Sequence, residues 1–253
     1  MKVPMDTTIK NRVPHIIFLY WVIKIASTTL GETGADMFSM TFNLGYGETI
    51  ALFLGLFLIL LVIKLSMKAY HSVLYWLTFT ASAIAGTAMS DFIDRTLKFG
   101  YALGSLFLIT MLLIILAVWY KKEKTINVEY ITAPSVEIFY WMAFLMANTL
   151  GTAAGDFMAD NLGLGFQKSA IVISAILAII VVLHFFTKIS QTLLFWLAFV
   201  LTRPFGATFR DFLTKPIAKG GINFGTIGSS IIFCVILIFA IAQETKLEKQ
   251  KWL

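Results

Sequence analysis

The sequence predicts an all-α, polytopic membrane protein of eight transmembrane helices, arranged as four tandem hairpins of common orientation in two duplicated halves. Three observations lead there. Apolar residues make up 58% of the 253 and charged residues only 13%, with mean hydropathy +0.84; a soluble domain carries roughly a quarter charged residues. A membrane-crossing helix needs about 20 mainly apolar residues, and eight such stretches fit along the chain, leaving no room for a water-soluble domain. The third observation is a pattern that recurs four times. This composition excludes a soluble enzyme, a disordered chain and a nucleic-acid binder. The net charge of +6 is scattered between apolar runs and forms no basic stripe. Cys234 stands alone in the last apolar run, so the chain has neither a disulfide framework nor a cysteine metal site.

The repeated pattern opens with an aromatic–Trp pair: Tyr20-Trp21, Tyr75-Trp76, Tyr140-Trp141 and Phe195-Trp196. Ten residues beyond each Trp stands Gly31, Gly86, Gly151 or Gly206, and fifteen beyond it Asp36, Asp91, Asp156 or Asp211. Phe92, Phe157 and Phe212 follow three of the Asps, and Met37 follows the first. The copies are spaced by 55, 65 and 55 residues, which points to a doubled pair. Copies one and three share Thr29-Leu30-Gly31 with Thr149-Leu150-Gly151, and Asn43-Leu44-Gly45 with Asn161-Leu162-Gly163. The charged stretch Lys121-Lys122-Glu123-Lys124 joins the halves, 1–125 and 126–253.

Each copy supplies a motif helix and a plain apolar helix. The first motif helix, 15–36, follows Lys10 and Arg12 as a signal peptide would, yet it carries the repeated pattern and is read as retained structure. The plain helix 48–65 completes that hairpin. The second copy gives 73–95 and 102–120, the third 136–157 and 168–186, and the fourth 190–212 and 224–242. The motif helices should line the interior and the plain helices form the outer wall, because only the former carry acids and clustered Thr and Gly. Two crossings per repeat give every copy the same orientation, unlike the inverted repeats of many transporters. The termini and the connections between repeats carry twelve Lys and Arg, from Lys2, Lys10 and Arg12 to Lys251, against six inside the hairpins. That excess places both termini in the cytoplasm and the Asp ends outward.

These residues resemble a bacterial membrane family of unknown function, built from four tandem repeats with two transmembrane segments and a characteristic Trp in each. Trp21, Trp76, Trp141 and Trp196 would be the family tryptophans. The resemblance implies eight helices and a bacterial inner-membrane location; it supplies no substrate and no mechanism.

Chemistry must therefore come from the residues. An acid near a helix centre costs about 2.5–3.5 kcal/mol on insertion scales and marks a functional hypothesis. At 1.5 Å per residue each Asp lies about 22 Å beyond its Trp, toward the outer membrane half. Three copies add a second carboxylate one turn away, on the same face if the helix continues: Glu32/Asp36, Asp91/Asp94 and Asp156/Asp160. The fourth departs, with Arg210 beside Asp211 and Lys215 at i+4. Asp36, Asp91, Asp156, Asp211 and Glu32 are thus the candidate cation ligands. Thr29, Thr33, Thr87, Asn148, Thr149 and Thr152 complete a hard-oxygen set suited to Mg²⁺, Mn²⁺, Ca²⁺ or protons. A plainer reading makes each Asp a helix terminator or a partner of the following Gly-bearing turn.

Arg203, inside the seventh helix beside Pro204, should find a carboxylate across the bundle, either as a counter-charge replacing cargo in an empty carrier or as a structural ion pair. Lys24 is expected to snorkel to the inner face, and the tryptophans to form an interfacial belt rather than an aromatic cage. The motif glycines read as close-contact positions, with helix breaks at Gly31, Gly86, Gly151 and Gly206, aided by Pro204, that expose backbone carbonyls as the alternative. His15, His71 and His184 fall near cytoplasmic helix ends, away from the acids.

The leading functional reading is a carrier or channel for a small cation, a hard divalent metal above all, working as an exporter or a cation/proton exchanger. The alternatives are a transporter of small organic solutes and a non-catalytic membrane scaffold. No GxGD-type element, Ser/His pair or HExxH is found, which argues against an intramembrane enzyme. No cofactor is expected beyond a cation as cargo. The expected partners are the lipid bilayer and that cation, with no nucleic acid; a homo-oligomer is left open.

Overall fold

A computed structural model describes residues 11–219 and 221–250. Lys2, Lys10 and Lys251, counted above on the cytoplasmic side, lie outside the described residues. Among those described there are eight long α-helices and no strand: α1 (Phe18–Asp36), α2 (Tyr46–Ser66), α3 (Ser72–Asp91), α4 (Gly100–Glu123), α5 (Pro134–Asp156), α6 (Gly165–Phe186), α7 (Gln191–Thr214) and α8 (Thr226–Gln250). Six of them, α2, α3, α4, α6, α7 and α8, are long and apolar enough to cross a membrane. Polarity sets the other two apart: α1 carries Lys24, Glu32 and Asp36, and α5 carries Glu137, Asn148 and Asp156.

Helix ends follow local chemistry. The side chains of His71 and Ser190 accept from the Leu74 and Leu193 amides, capping α3 and α7, and Pro134 opens α5 where no amide donor is needed. After the Asp of the first three repeats the helix widens into a five-residue π turn: Met37–Thr41, Phe92–Thr96 and Phe157–Asn161. Amides of Phe42, Leu97 and Leu162 donate five residues back, to Met37, Phe92 and Phe157. In the fourth repeat α7 runs straight on to Thr214. Gly45, Gly100, Gly165 and Gly225 then turn the chain with φ of 87°, 70°, 67° and 81° at the start of each outer helix, either as its first residue or just before it; a residue with a Cβ would be strained there.

The motif helices form a closed ring, α1 against α3, α3 against α5, α5 against α7 and α7 against α1. Each outer helix packs chiefly on the motif helix of the following repeat: α2 on α3, α4 on α5, α6 on α7, and α8 back on α1. The division between lining and wall is as the sequence predicts. Buried residues fill 78% of the apolar window of α3 and 56% of that of α7, against 17–33% in the four outer helices. Exposed Leu, Ile, Val and Phe cover the outer helices, as a lipid-facing wall requires.

The glycines close the ring. A Cβ on Gly31 would lie 2.7 Å from Ala83 Cβ, and on Gly86 3.0 Å from Asn148 Cβ. On Gly151 it would lie 2.0 Å from Arg203 Cβ, and on Gly206 3.2 Å from Thr28 Oγ1. Every motif glycine therefore receives the residue three places before the next motif glycine. The helices run unbroken through these positions, Pro204 included, so close packing is their role.

Candidate functional site

Because the register is shared, equivalent residues meet at common levels around the ring, one level every four residues. The level before each Trp holds Tyr20, Tyr75, Tyr140 and Phe195, with the hydroxyls of Tyr75 and Tyr140 hydrogen-bonded to each other. The next holds Lys24, Phe79, Phe144 and Phe199, all fully buried. Lys24 Nζ lies 4.0 Å from the centre of the Phe199 ring and donates to the Phe199 carbonyl (3.0 Å) and the Thr202 hydroxyl. Lys24 therefore does not snorkel. Neutral oxygens from α7 satisfy its ammonium inside the bundle.

The third level holds Thr28, Ala83, Asn148 and Arg203. The Arg203 guanidinium reaches all three partners, donating to the backbone carbonyls of Asn148 (3.2 Å), Thr28 (3.1 Å) and Ala83 (3.1 Å). It also lies 3.6 Å from Glu32 Oε1, the carboxylate expected across the bundle. Its fixed fork of donors suits a buried position that an ammonium could not satisfy equally. Glu32 belongs to the fourth level with Thr87, Thr152 and Ala207; Thr152 donates to it (2.6 Å), and the hydroxyls of Thr87 and Thr152 lie 3.3 Å apart.

The fifth level holds the four motif Asps, all at most 4% exposed. Two guanidinium groups gather them. Arg210 donates to Asp36 (2.7 Å) and Asp211 (2.6 Å) and reaches Glu32 (3.3 Å). Arg95 lies 3.2 Å from Asp91 Oδ1 and 3.1 Å from Asp156 Oδ2, and donates to the Tyr46 hydroxyl. Lys215 approaches Asp211 at 3.6 Å. Each of the five acids thus has a basic partner, as buried charges require. One oxygen of Asp36 and one of Asp91 are buried without a hydrogen-bond partner.

The expected cation ligands Asp36, Asp91, Asp156, Asp211 and Glu32 are therefore brought together, but on basic side chains. Among the described residues no group of three or more His, Cys, Asp or Glu is disposed to hold a metal ion. The flanking residues divide. Asn148 lies on the axis and donates to Ser82 (3.0 Å). Thr29 and Thr149 donate back to the carbonyls of Ile25 and Leu145 in their own helices. Asp94 turns to the outer wall, where a Cβ on Gly104 would sit 1.8 Å from its Oδ1, and Asp160 is exposed. The π turn explains both: about one extra residue per turn destroys the i+3 and i+4 alignment with Asp91 and Asp156.

Three of the four motif tryptophans are a second correction, Trp21 being only partly buried. Trp76 and Trp141 are fully buried and Trp196 nearly so, and their indole N–H groups donate to Glu244, Glu137 and the Ile126 carbonyl. They pin neighbouring elements instead of forming a lipid-facing belt. Glu137 also bridges Arg12 and Lys64 (2.8 Å), and Glu244 accepts from Tyr70 and Ser72 as well as Trp76. Sequence reasoning missed both carboxylates, although Glu137 stands one turn before Trp141 on the same face. The histidines stay away from the acids: His71 caps α3, and His15 and His184 are exposed.

Compared with known protein families, the chain matches the one described as Repeat of Unknown Function (DUF347), four times, at residues 19–70, 74–125, 139–190 and 194–249. No curated protein and no solved structure matches it.

Proposed function

The chain belongs to the DUF347 repeat family, and from its axial chemistry we propose a membrane carrier for a small cation, seen with its axis closed. The observation that supports this is the meeting of four equivalent intramembrane Asps on two guanidinium groups. Buried acids are expensive in a bilayer and mark ion pathways; tethered cations compensate them while no cargo is bound. Oxygen donors favour a hard divalent ion of the Mn²⁺, Mg²⁺ or Ca²⁺ kind, exported or exchanged for protons. On this reading α1 and α5 also cross the membrane, shielded by the other six helices, with both termini in the cytoplasm of a bacterial cell. The only cofactor-like species is the cargo, and no catalytic residue is assigned.

A second reading, a non-transporting scaffold, draws on the closed ion pairs and on the absence of a metal-disposed group among the described residues. Purified protein in liposomes separates the two, with Mn²⁺, Mg²⁺ and Ca²⁺ flux measured in turn. The carrier reading expects flux of at least one ion by the wild type and its loss in Asp36→Asn and Asp156→Asn, both still folded. No flux of any ion leaves the scaffold; Asn variants as active as wild type remove Asp36 and Asp156 from the cation path.

A further inference from the structure

The five axial acids are not held alike. Arg210 is 1% exposed and touches Glu32, Asp36 and Asp211, so its departure would weaken three carboxylates at once and take the ion pair of Asp36. Arg203 is fully buried and fixed by carbonyls of three other helices. Arg95 differs from both. It stands on the π turn beyond α3, its side chain is 32% exposed, and it spans Asp91 and Asp156 from the rim of the bundle. The Tyr46 hydroxyl (3.1 Å) and the Tyr101 ring, 6.0 Å from its guanidinium carbon, flank it. Behind it Asp91, 1% exposed, keeps one oxygen buried without a hydrogen-bond partner, and so does Asp36. Unsatisfied carboxylate oxygens are rare inside proteins and mark a place where a proton, water or cation belongs.

We propose that Arg95 is a displaceable stopper: a small hard cation enters the axis by taking its place between Asp91 and Asp156, with the free Asp91 oxygen as an additional ligand. This rests on the carrier reading above and assigns its entry position. Release is cheap for Arg95, because its side chain is already one-third exposed, its buried Nε has no hydrogen bond to lose, and a swing outward hydrates the group. The two carboxylates it leaves supply the hard oxygens and the double negative charge that a divalent ion seeks. The Tyr46 hydroxyl loses its donor partner and becomes an extra oxygen at the same rim.

Mn²⁺ binding to the purified full-length chain in lipid nanodiscs, followed by electron paramagnetic resonance, tests the proposal. Arg95→Gln should bind Mn²⁺ about tenfold more tightly than wild type, because a charge-assisted competitor has gone. Arg95→Lys, which keeps the charge, should stay near wild type, and Asp156→Asn added to Arg95→Gln should erase the gain. A second measurement uses wild type alone: phenylglyoxal should modify Arg95 faster when Mn²⁺ is saturating, and this result decides the matter should Arg95→Gln not fold. Equal affinity in wild type and Arg95→Gln, a gain that survives Asp156→Asn, or Arg95 modification indifferent to Mn²⁺ overturns the proposal. Flux in liposomes keeps the two ideas apart. Cation flux with an inert Arg95 sinks the stopper and leaves the carrier; tighter binding in Arg95→Gln without flux by any form does the reverse.

Discussion

The seam between α1 and α7 and the seam between α3 and α5 occupy equivalent places in the ring, yet different chemistry closes them. Across α1 and α7, Lys24 donates to the Phe199 carbonyl, Arg203 to the Thr28 carbonyl, and Arg210 to Asp36 and Glu32. Across α3 and α5 the same levels hold neutral pairs: Tyr75 with Tyr140, Ser82 with Asn148, and Thr87 with Thr152. Only Arg95 to Asp156, at the rim, is ionic there. The repeat dictates where residues meet, and the individual copies dictate what separation costs. Opening the first seam strands buried charges; opening the second breaks neutral hydrogen bonds, one of the carbonyl contacts of Arg203 and one rim ion pair whose arginine is one-third exposed. Of the two seams, the α3–α5 side is the one that separates at less cost.

That contrast can be broken by substitution. Arg210→Gln should have the largest effect, about 3–5 kcal/mol, since it removes the ion pair of Asp36 and leaves Glu32 and Asp211 with only their more distant partners Arg203 and Lys215. Thermal unfolding in detergent reads it directly, and a midpoint near wild type would mean that the charged seam is not the tighter one. Gly151→Ala comes next, at about 1–3 kcal/mol, because the new methyl would fall 2.0 Å from Arg203 Cβ. Gly206→Ala sharpens that figure: its nearest neighbour is Thr28 Oγ1 at 3.2 Å, and alanine's better helix propensity offsets a small shift, so its midpoint should barely move. Equal losses in the two glycine variants would show that close approach is not what the register demands. The smallest effect belongs to the neutral seam. Tyr75→Phe removes one hydroxyl from the pair with Tyr140 and should cost about 0.5–1.5 kcal/mol in the same assay.

Much of this fold is legible in the sequence, because lipid forces long apolar runs and the Trp–Gly–Asp register repeats without a slip from Trp21 to Asp211. Helix positions, the lining role of the motif helices and a carboxylate for Arg203 across the bundle all follow from it, though not that the carboxylate is Glu32. The partners of the acids do not. Arg210 is one residue, or about 100° of helix, from Asp211, so nothing local says that it turns inward; only the neighbouring α1 supplies the reason, in Asp36 and Glu32. Arg95 reads as a loop cation until the π turn folds it back over Asp91. No periodicity announces a π turn, which is also why Asp94 and Asp160 read as axial. Lys24 and three of the motif tryptophans mislead for a related reason. Snorkelling and belt formation are defaults for side chains facing lipid, and their helices present them to other helices.

The return of α8 onto α1 governs the order in which the molecule is made. A chain inserted from its N-terminus delivers α1 first, with Lys24, Glu32 and Asp36 already in place, whereas their partners Thr202 and Arg210 follow 178 and 174 residues later. Until α7 and then α8 emerge, α1 lacks both its counter-charges and its cover. The ring can therefore close only once α7 has been made, and α1 gains its outer cover only with α8.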